Sequence, residues 1–287
     1  MTNLIPRLSE GEQTVFFKSG GEWCYLRTPS DYSLSGEPVP CIIQCHGNSG
    51  FVKDGDYSIS SSDSLDEHGK SIFIRTLVDA GIAVAGSHAK GSAWGRPDAV
   101  AAYAELFNIV IDEANVDSNR MGMLGGGLGG SALWSAVTGP LIGKIKAVGL
   151  QQATLNFESV IRAHKFKGDL LDAWGIPGEA DDDLAIATLR NNDPLERTRL
   201  LIVQHGDGLG QMLPEVGFFH GEQDENMLYE GNPVALANVL KTCGAKYKLY
   251  KYEGLGHETY ATGKPIAEDI RSFFLEALNA NNGAVKA

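Results

Sequence analysis

The sequence predicts an α/β fold: a mostly parallel central sheet with helices on both faces. Three observations carry that expectation. From Gly69 onward, short apolar runs suited to buried strands alternate with helical stretches. A turn made almost wholly of glycine, Gly125 to Gly130, joins one such run to a helix. The rhythm breaks once, over Phe157 to Arg199, where helical segments follow one another without a convincing strand. A chain of 287 residues can bury one substantial core. The expected organisation is a core of residues 1–152 and 214–287, with a helical cap inserted over 153–213.

Taken in order, Thr14 to Lys18 and Trp23 to Thr28 are rich in β-formers, and Ser19-Gly20-Gly21-Glu22 between them is a hairpin signal. Pro40 to Cys45 is apolar enough for an interior strand and ends at His46-Gly47-Asn48-Ser49-Gly50. Polar Lys53 to Lys70 reads as one long loop, and a loop of that length in a compact domain commonly walls or covers a site. Lys70 to Asp79 then reads as helix, Ile82 to Ala85 as strand, Pro97 to Glu113 as helix and Met121 to Leu124 as strand. Pro97 and Asp98 suit a helix start, because proline fits the first turn and an acid favours its positive end. Ser131 to Val137 reads as helix and Ala147 to Leu150 as strand. After the insertion come a strand at Val216 to Phe219, a helix at Pro233 to Thr242, a strand at Tyr247 to Tyr252 and an amphipathic closing helix at Ile266 to Leu278.

Composition narrows the function. With 43% apolar and 21% charged residues the chain is of ordinary globular make-up. Its net charge of −12 and scattered lysines and arginines argue against a nucleic-acid partner. No basic leader precedes an apolar segment, and no apolar run approaches the length of a membrane span. Four cysteines without metal or redox spacing fit a reducing cytoplasm, and Cys41 and Cys45, four apart on one strand, are expected as buried thiols. No metal site and no cofactor is implied.

The glycine turn admits two readings. Gly125, Gly127 and Gly130 match the dinucleotide-binding spacing, but that motif needs an acid at the end of the following strand, where Gln151-Gln152 stands. Gly125 and Gly129 match the flanks of a nucleophile elbow, Gly-x-Ser-x-Gly, with Gly127 where serine belongs. The elbow reading requires an oxyanion loop after an earlier interior strand, then an acid past a late strand and a histidine past the last one. His46 to Gly50, Asp224 and His257 occupy those places in that order.

On these residues the chain resembles the α/β-hydrolases of the esterase and prolyl-oligopeptidase-like kind, from the first hairpin to the final helix. The resemblance implies Asp224 and His257 as the acid and base of a triad, and His46 as a structural holder of its loop. The backbone N–H groups of Leu128 and Asn48 would be the oxyanion donors. His88, His164, His205 and His220 have no spacing that assigns them chemistry. At Gly127 the pattern departs from the family, since glycine has no atom with which to attack a carbonyl. Ser131 and Ser49 are the nearest hydroxyls and neither replaces it well.

Three functions follow. The first is a non-acylating, non-catalytic protein that binds a ligand or serves a structural role. The second is a hydrolase or lyase in which His257, oriented by Asp224, activates water against a small ester, amide or carbonyl compound. The third is a serine hydrolase silenced on purpose by a Ser-to-Gly change, which the natural gene's codon decides. The cap brings Phe157, Phe166, Leu170, Leu171, Trp174 and Ile176 beside Arg162, Lys165 and Lys167, and Trp94 follows the fourth strand. With Ser49, Trp94 and Trp174 form the expected ligand wall, and the expected partner is a partly apolar small molecule. A homo-oligomer stays open. The acidic run Glu179 to Asp183 reads as a solvated face.

Overall fold

Alternation along the central strand sends Cys41, Ile43 and Cys45 to one face and Ile42 to the other, so both faces must be covered. The structure, a computed structural model, describes residues 3–60, 71–257 and 264–279. Its strands are β1 (Gln13–Ser19), β2 (Glu22–Thr28), β3 (Val39–Cys45), β4 (Phe51–Lys53), β5 (Asp56–Ser58), β6 (Ala83–Ser87), β7 (Val116–Gly126), β8 (Ala147–Gln151), β9 (Glu215–Gly221) and β10 (Tyr247–Tyr252). Eight of them form one sheet in the order β1-β2-β6-β3-β7-β8-β9-β10. β1 and β2 pair antiparallel, β2 joins β6 antiparallel, and every pairing from β6 to β10 is parallel.

Parallel strands need crossovers, and helices supply them. They are α1 (Ile72–Val78), α2 (Pro97–Glu113), α3 (Leu128–Val137), α4 (Phe157–Ala163), α5 (Lys167–Ala173), α6 (Asp182–Leu189), α7 (Pro194–His205), α8 (Leu209–Met212), α9 (Ala235–Thr242) and α10 (Lys264–Asn279). Phe73 and Leu77 of α1 and Phe273 and Phe274 of α10 bury against Ile42, Val84, Leu124 and Phe219 on one face. On the other, Phe107 of α2, Trp134 of α3, Leu195 of α7 and Leu240 of α9 cover Cys41, Ile43, Met123, Val148 and Phe218. All four cysteines are free and buried, and burial pushes the Cys41 thiol up to about 12. Among the described residues no helix is long and apolar enough to cross a membrane.

The alternation of strands and helices matches the expectation, with four local differences. The polar stretch expected as loop from Lys53 begins instead with the hairpin β4–β5, turned by Asp54-Gly55 with Gly55 at φ +74°. Residues 61–70 of that stretch lie outside the described ones. Helix α3 starts at Leu128, three residues before Ser131, so Gly129 and Gly130 belong to its first turn. The acidic run is exposed at Glu179, Asp181 and Asp183, as a solvated face should be, and in addition it opens α6: Asp181 caps the N–H groups of Asp183 and Leu184, and Asp182 pairs with Lys167 at 2.7 Å. Finally, the segment between β8 and β9 holds five helices, which divide by packing. α4, α5 and α6 form a cluster around Phe157, Ile161, Leu170 and Leu189. α7 lies on the core, where Trp134 Nε1 donates to Thr198 Oγ1 at 2.8 Å.

Candidate functional site

β7 delivers the glycine turn to the carboxyl edge of the sheet. A Cβ on Gly125 would lie 2.9 Å from the Gly129 oxygen, and one on Gly129 would lie 2.4 Å from the carbonyl oxygens of both Cys45 and His46. Neighbouring backbone therefore demands glycine at those positions. Gly127 is different: a Cβ there meets nothing within 4 Å. Only its backbone, at φ +51° and ψ −129°, favours glycine, in a region where another residue costs on the order of 1–3 kcal/mol. Gly127 caps α3 without a side chain, and its own N–H and C=O are tied to Gln151 O at 3.2 Å and Thr154 N at 2.8 Å. Ser131 is fully buried, with Oγ donating to Leu128 O at 2.6 Å, which occupies its hydroxyl.

The loop after β3 presses on this turn, and a Cβ on Gly47 would come within 3.2 Å of Gly126 O. Gly47 N–H is held by Ile59 O at 2.7 Å, and Gly50 N–H closes a turn on Gly47 O through Ser49 at φ +58°. Asn48 and Ser49 are exposed at its tip, and Asn48 Oδ1 accepts from Ser92 Oγ at 3.2 Å. The N–H groups of Leu128 and Asn48 have no hydrogen-bond partner among the described residues. His46 is buried beneath the loop, with its ring nitrogens 2.9 Å from His88 O and 3.0 Å from Gly47 O. Burial pushes its pKa down against those bonds, and the two contacts anchor the loop.

Asp224 follows β9 in a buried turn. Its Oδ1 accepts from the N–H groups of Asn226 and Met227 at 2.8 and 2.9 Å, and its Oδ2 faces His257 Nδ1 at 2.8 Å. His220 Nε2 also lies 3.2 Å from Oδ2 while contacting Met227 O at 2.7 Å. Burial works to raise the Asp224 pKa, but the hydrogen bonds from His220 and His257 outweigh it and hold the carboxyl well below the usual range. The same carboxylate thus holds the His257 ring through Nδ1. The His257 loop approaches closely because Gly221 has no side chain: a Cβ there would lie 2.3 Å from Gly256 O. His257 is partly exposed, and its Nε2 has no hydrogen-bond partner among the described residues.

The elements α4 to α6 meet this edge through an apolar cluster that holds Leu128 of the turn, Trp94 after β6 and Met227 of the acid turn. Trp174 packs on that cluster with its ring edge-on to Phe157, centroids 6.4 Å apart. Its Nε1–H is buried without an acceptor among the described residues. Arg96 Nη1 ties the loop after β6 to α5 through Ala173 O at 3.0 Å. Of the residues expected as ligand wall, Trp94 and Trp174 therefore share one cluster with Leu128, whereas Ser49 stands in solvent outside it.

Sequence reasoning left His220 without a role, although it sits four residues before Asp224 and contacts it. It also passed over Gln152 and Met227. A carboxylate flanked by two imidazoles is chemically readable only once the turn between them is folded. Among the described residues no group of three His, Cys, Asp or Glu could hold a metal ion.

No protein-family model matches the sequence, and no curated protein matches it in sequence. Solved structures do resemble it. A carbohydrate esterase from gut microbiota, in truncated form, superposes with a TM-score of 0.65 at 16% identity, over 89% of this chain and 90% of that one. An S-formylglutathione hydrolase from Agrobacterium tumefaciens gives 0.64 at 14% identity, over 95% of this chain and 98% of its own. A puromycin-hydrolyzing peptidase from Mycobacterium tuberculosis gives 0.64 at 17%, over 90% of this chain, which spans 38% of that longer protein. Sheet order, crossover pattern and these likenesses agree: the chain has the α/β-hydrolase fold.

Proposed function

We propose that this protein uses a hydrolase-fold site without acyl transfer, binding a small, partly apolar ligand between the Gly127 turn, His257 and a cap made by α4 to α6. One observation carries the reading: the position that presents the nucleophile in this fold is held in its turn geometry by a residue with no side chain. An acyl-enzyme needs an attacking heavy atom there, and Ser131 is bonded elsewhere. Trp94, Leu128, Met227 and Trp174 supply the apolar wall, and the N–H groups of Leu128 and Asn48, without a partner among the described residues, supply donors for a carbonyl oxygen.

The Asp224–His257 hydrogen bond favours a second reading. His257 Nε2 would take a proton from water attacking an ester, amide or carbonyl carbon while the two N–H groups receive the developing negative charge. Proton abstraction in a lyase would use the same parts.

Restoring serine separates these readings from the fold itself. Gly127→Ser is expected to gain hydrolysis of short-chain aryl esters and labelling by a serine-directed organophosphonate, while the parent shows neither acylation nor label. Absence of any gain in the serine variant would show that the remaining triad geometry is not preserved. Slow ester turnover by the parent that disappears in His257→Ala would select the water-activating reading over simple binding.

A further inference from the structure

Gln151, which ends β8, and the short segment after it touch the Gly127 turn, the strand that leads to Asp224 and the histidine loop. Gln151 O accepts from Gly127 N, and Thr154 N donates to Gly127 O. Between them, the Gln152 N–H donates to Phe219 O at 3.0 Å, on the strand that leads to Asp224. The Gln152 Nε2 donates to Gly256 O at 2.8 Å, one residue before His257. Gln152 is fully buried and holds a left-handed backbone at φ +45° without being glycine. Such a conformation persists when surrounding contacts over-determine it, and it concentrates where geometry matters for a site.

The histidine loop has a second set of ties, all to the acid turn. Gln223 N donates to Leu255 O at 2.9 Å, Glu222 N donates to Tyr252 O at 3.0 Å, and His257 itself bonds Asp224. These set His257 relative to Asp224 but not relative to Gly127. Among the described residues, the Gln152 side chain links the histidine loop to the segment clasping Gly127.

We propose that Gln152 is a positioning residue, whose side-chain amide sets where the free Nε2 of His257 stands above the turn at Gly127. This rests on the reading that Gly127, Asp224 and His257 form one hydrolase-type site. A Gln152→Met change keeps side-chain length and removes the donor. In the otherwise unaltered protein, the Nδ1 proton of His257 is read by NMR as a downfield resonance bonded to Asp224. Gln152→Met is expected to retain that resonance, to speed its exchange with water about tenfold, the scale of one buried hydrogen bond, and to shift the His257 ring signals while those of His220 stay in place. The thermal midpoint is expected to stay within a few degrees. Unchanged His257 signals and exchange would overturn the proposal, as would a uniform rise in exchange across the protein with a matching fall in thermal midpoint. In the Gly127→Ser background, where ester turnover is measurable, Gln152→Met is expected to lower kcat about 10- to 100-fold with little change in KM; an unchanged kcat also overturns it. If Gly127→Ser gains no turnover, the reading of the site fails while the NMR comparison still decides the role of Gln152.

Discussion

The turn after β7 and the turn after β9 leave the same edge of the sheet, and they are equipped in opposite ways. The first is held by close backbone approaches at Gly125 and Gly129 and by bonds to the Gly127 backbone, and Gly127 at its tip carries no side chain. The second presents a carboxylate saturated by two backbone N–H groups and two imidazoles, one of which reaches the site. The difference teaches that the scaffolding of such a turn is independent of the side chain at its tip. Removing the tip relieves backbone strain and leaves the turn standing. Removing Asp224 would strip two backbone N–H groups and His257 Nδ1 of their acceptor and leave His220 with Met227 O alone.

That contrast can be broken most forcefully by reuniting the two turns. In Gly127→Ser, a further His257→Ala change is expected to lower the gained aryl-ester turnover on the order of 10³-fold or more. Persistence of turnover in the double variant would mean that the serine works without the histidine and that the turns do not form one site.

Within the first turn, chemical denaturation should separate two glycines that lie two residues apart. Gly129→Ala drives a methyl into two carbonyl oxygens and is expected to cost about 3 kcal/mol or more. Gly127→Ala meets open space and only the backbone penalty, about 1–2 kcal/mol. Equal losses would refute the distinction between a glycine required by packing and one that is not. In the second turn, Asp224→Asn is expected to cost roughly 2–3 kcal/mol, since it removes the charge that both imidazoles face.

Acid titration sets Asp224 against Asp193, a buried carboxylate that caps α7 through Glu196 N at 2.9 Å and also accepts from Phe157 N. Asp193 has no cationic partner among the described residues, and burial, only partly offset by these backbone bonds, raises its pKa to about 6. Its folded pKa exceeds the unfolded one, so the folded state binds more protons between about pH 4 and 6 and stability falls as pH rises through that window, by about 2–3 kcal/mol. Asp224 has the opposite sign: its contribution is fully present above the unfolded pKa near 4 and is lost as pH falls through the lower folded value. Urea midpoints across pH 3–7 should show both slopes, and Asp193→Asn should flatten the upper one alone. The smallest effect is expected at Trp174→Phe, which deletes a buried N–H with no acceptor among the described residues and should leave stability unchanged or raise it by up to about 1 kcal/mol. A clear loss would show that the indole N–H has a partner in solution.

Much of the fold was legible because period and punctuation agree along the chain. Pro97–Glu113 is helical over the span its proline start and apolar spacing predict. The hairpin β4–β5 was missed although Asp54-Gly55 carries its turn signal, because strands of three residues have too little pattern to register. The places of Asp224 after β9 and His257 after β10 follow from chain order, and the contact between them is a product of folding. Gln152 was not legible, since its bond to Gly256 spans 104 positions and a buried glutamine carries no motif.

The sequence by itself determined the layering, the order of the chemical groups along the chain and the lack of a side chain at Gly127, because strand and helix periods and residue identities are local properties. Only the tertiary structure decided which glycines the turn cannot do without. It also brought His220 onto Asp224 and made Gln152 the tie between the histidine loop and the Gly127 turn. Each of these depends on how closely distant backbones approach, which is a property of packing and not of any stretch of sequence.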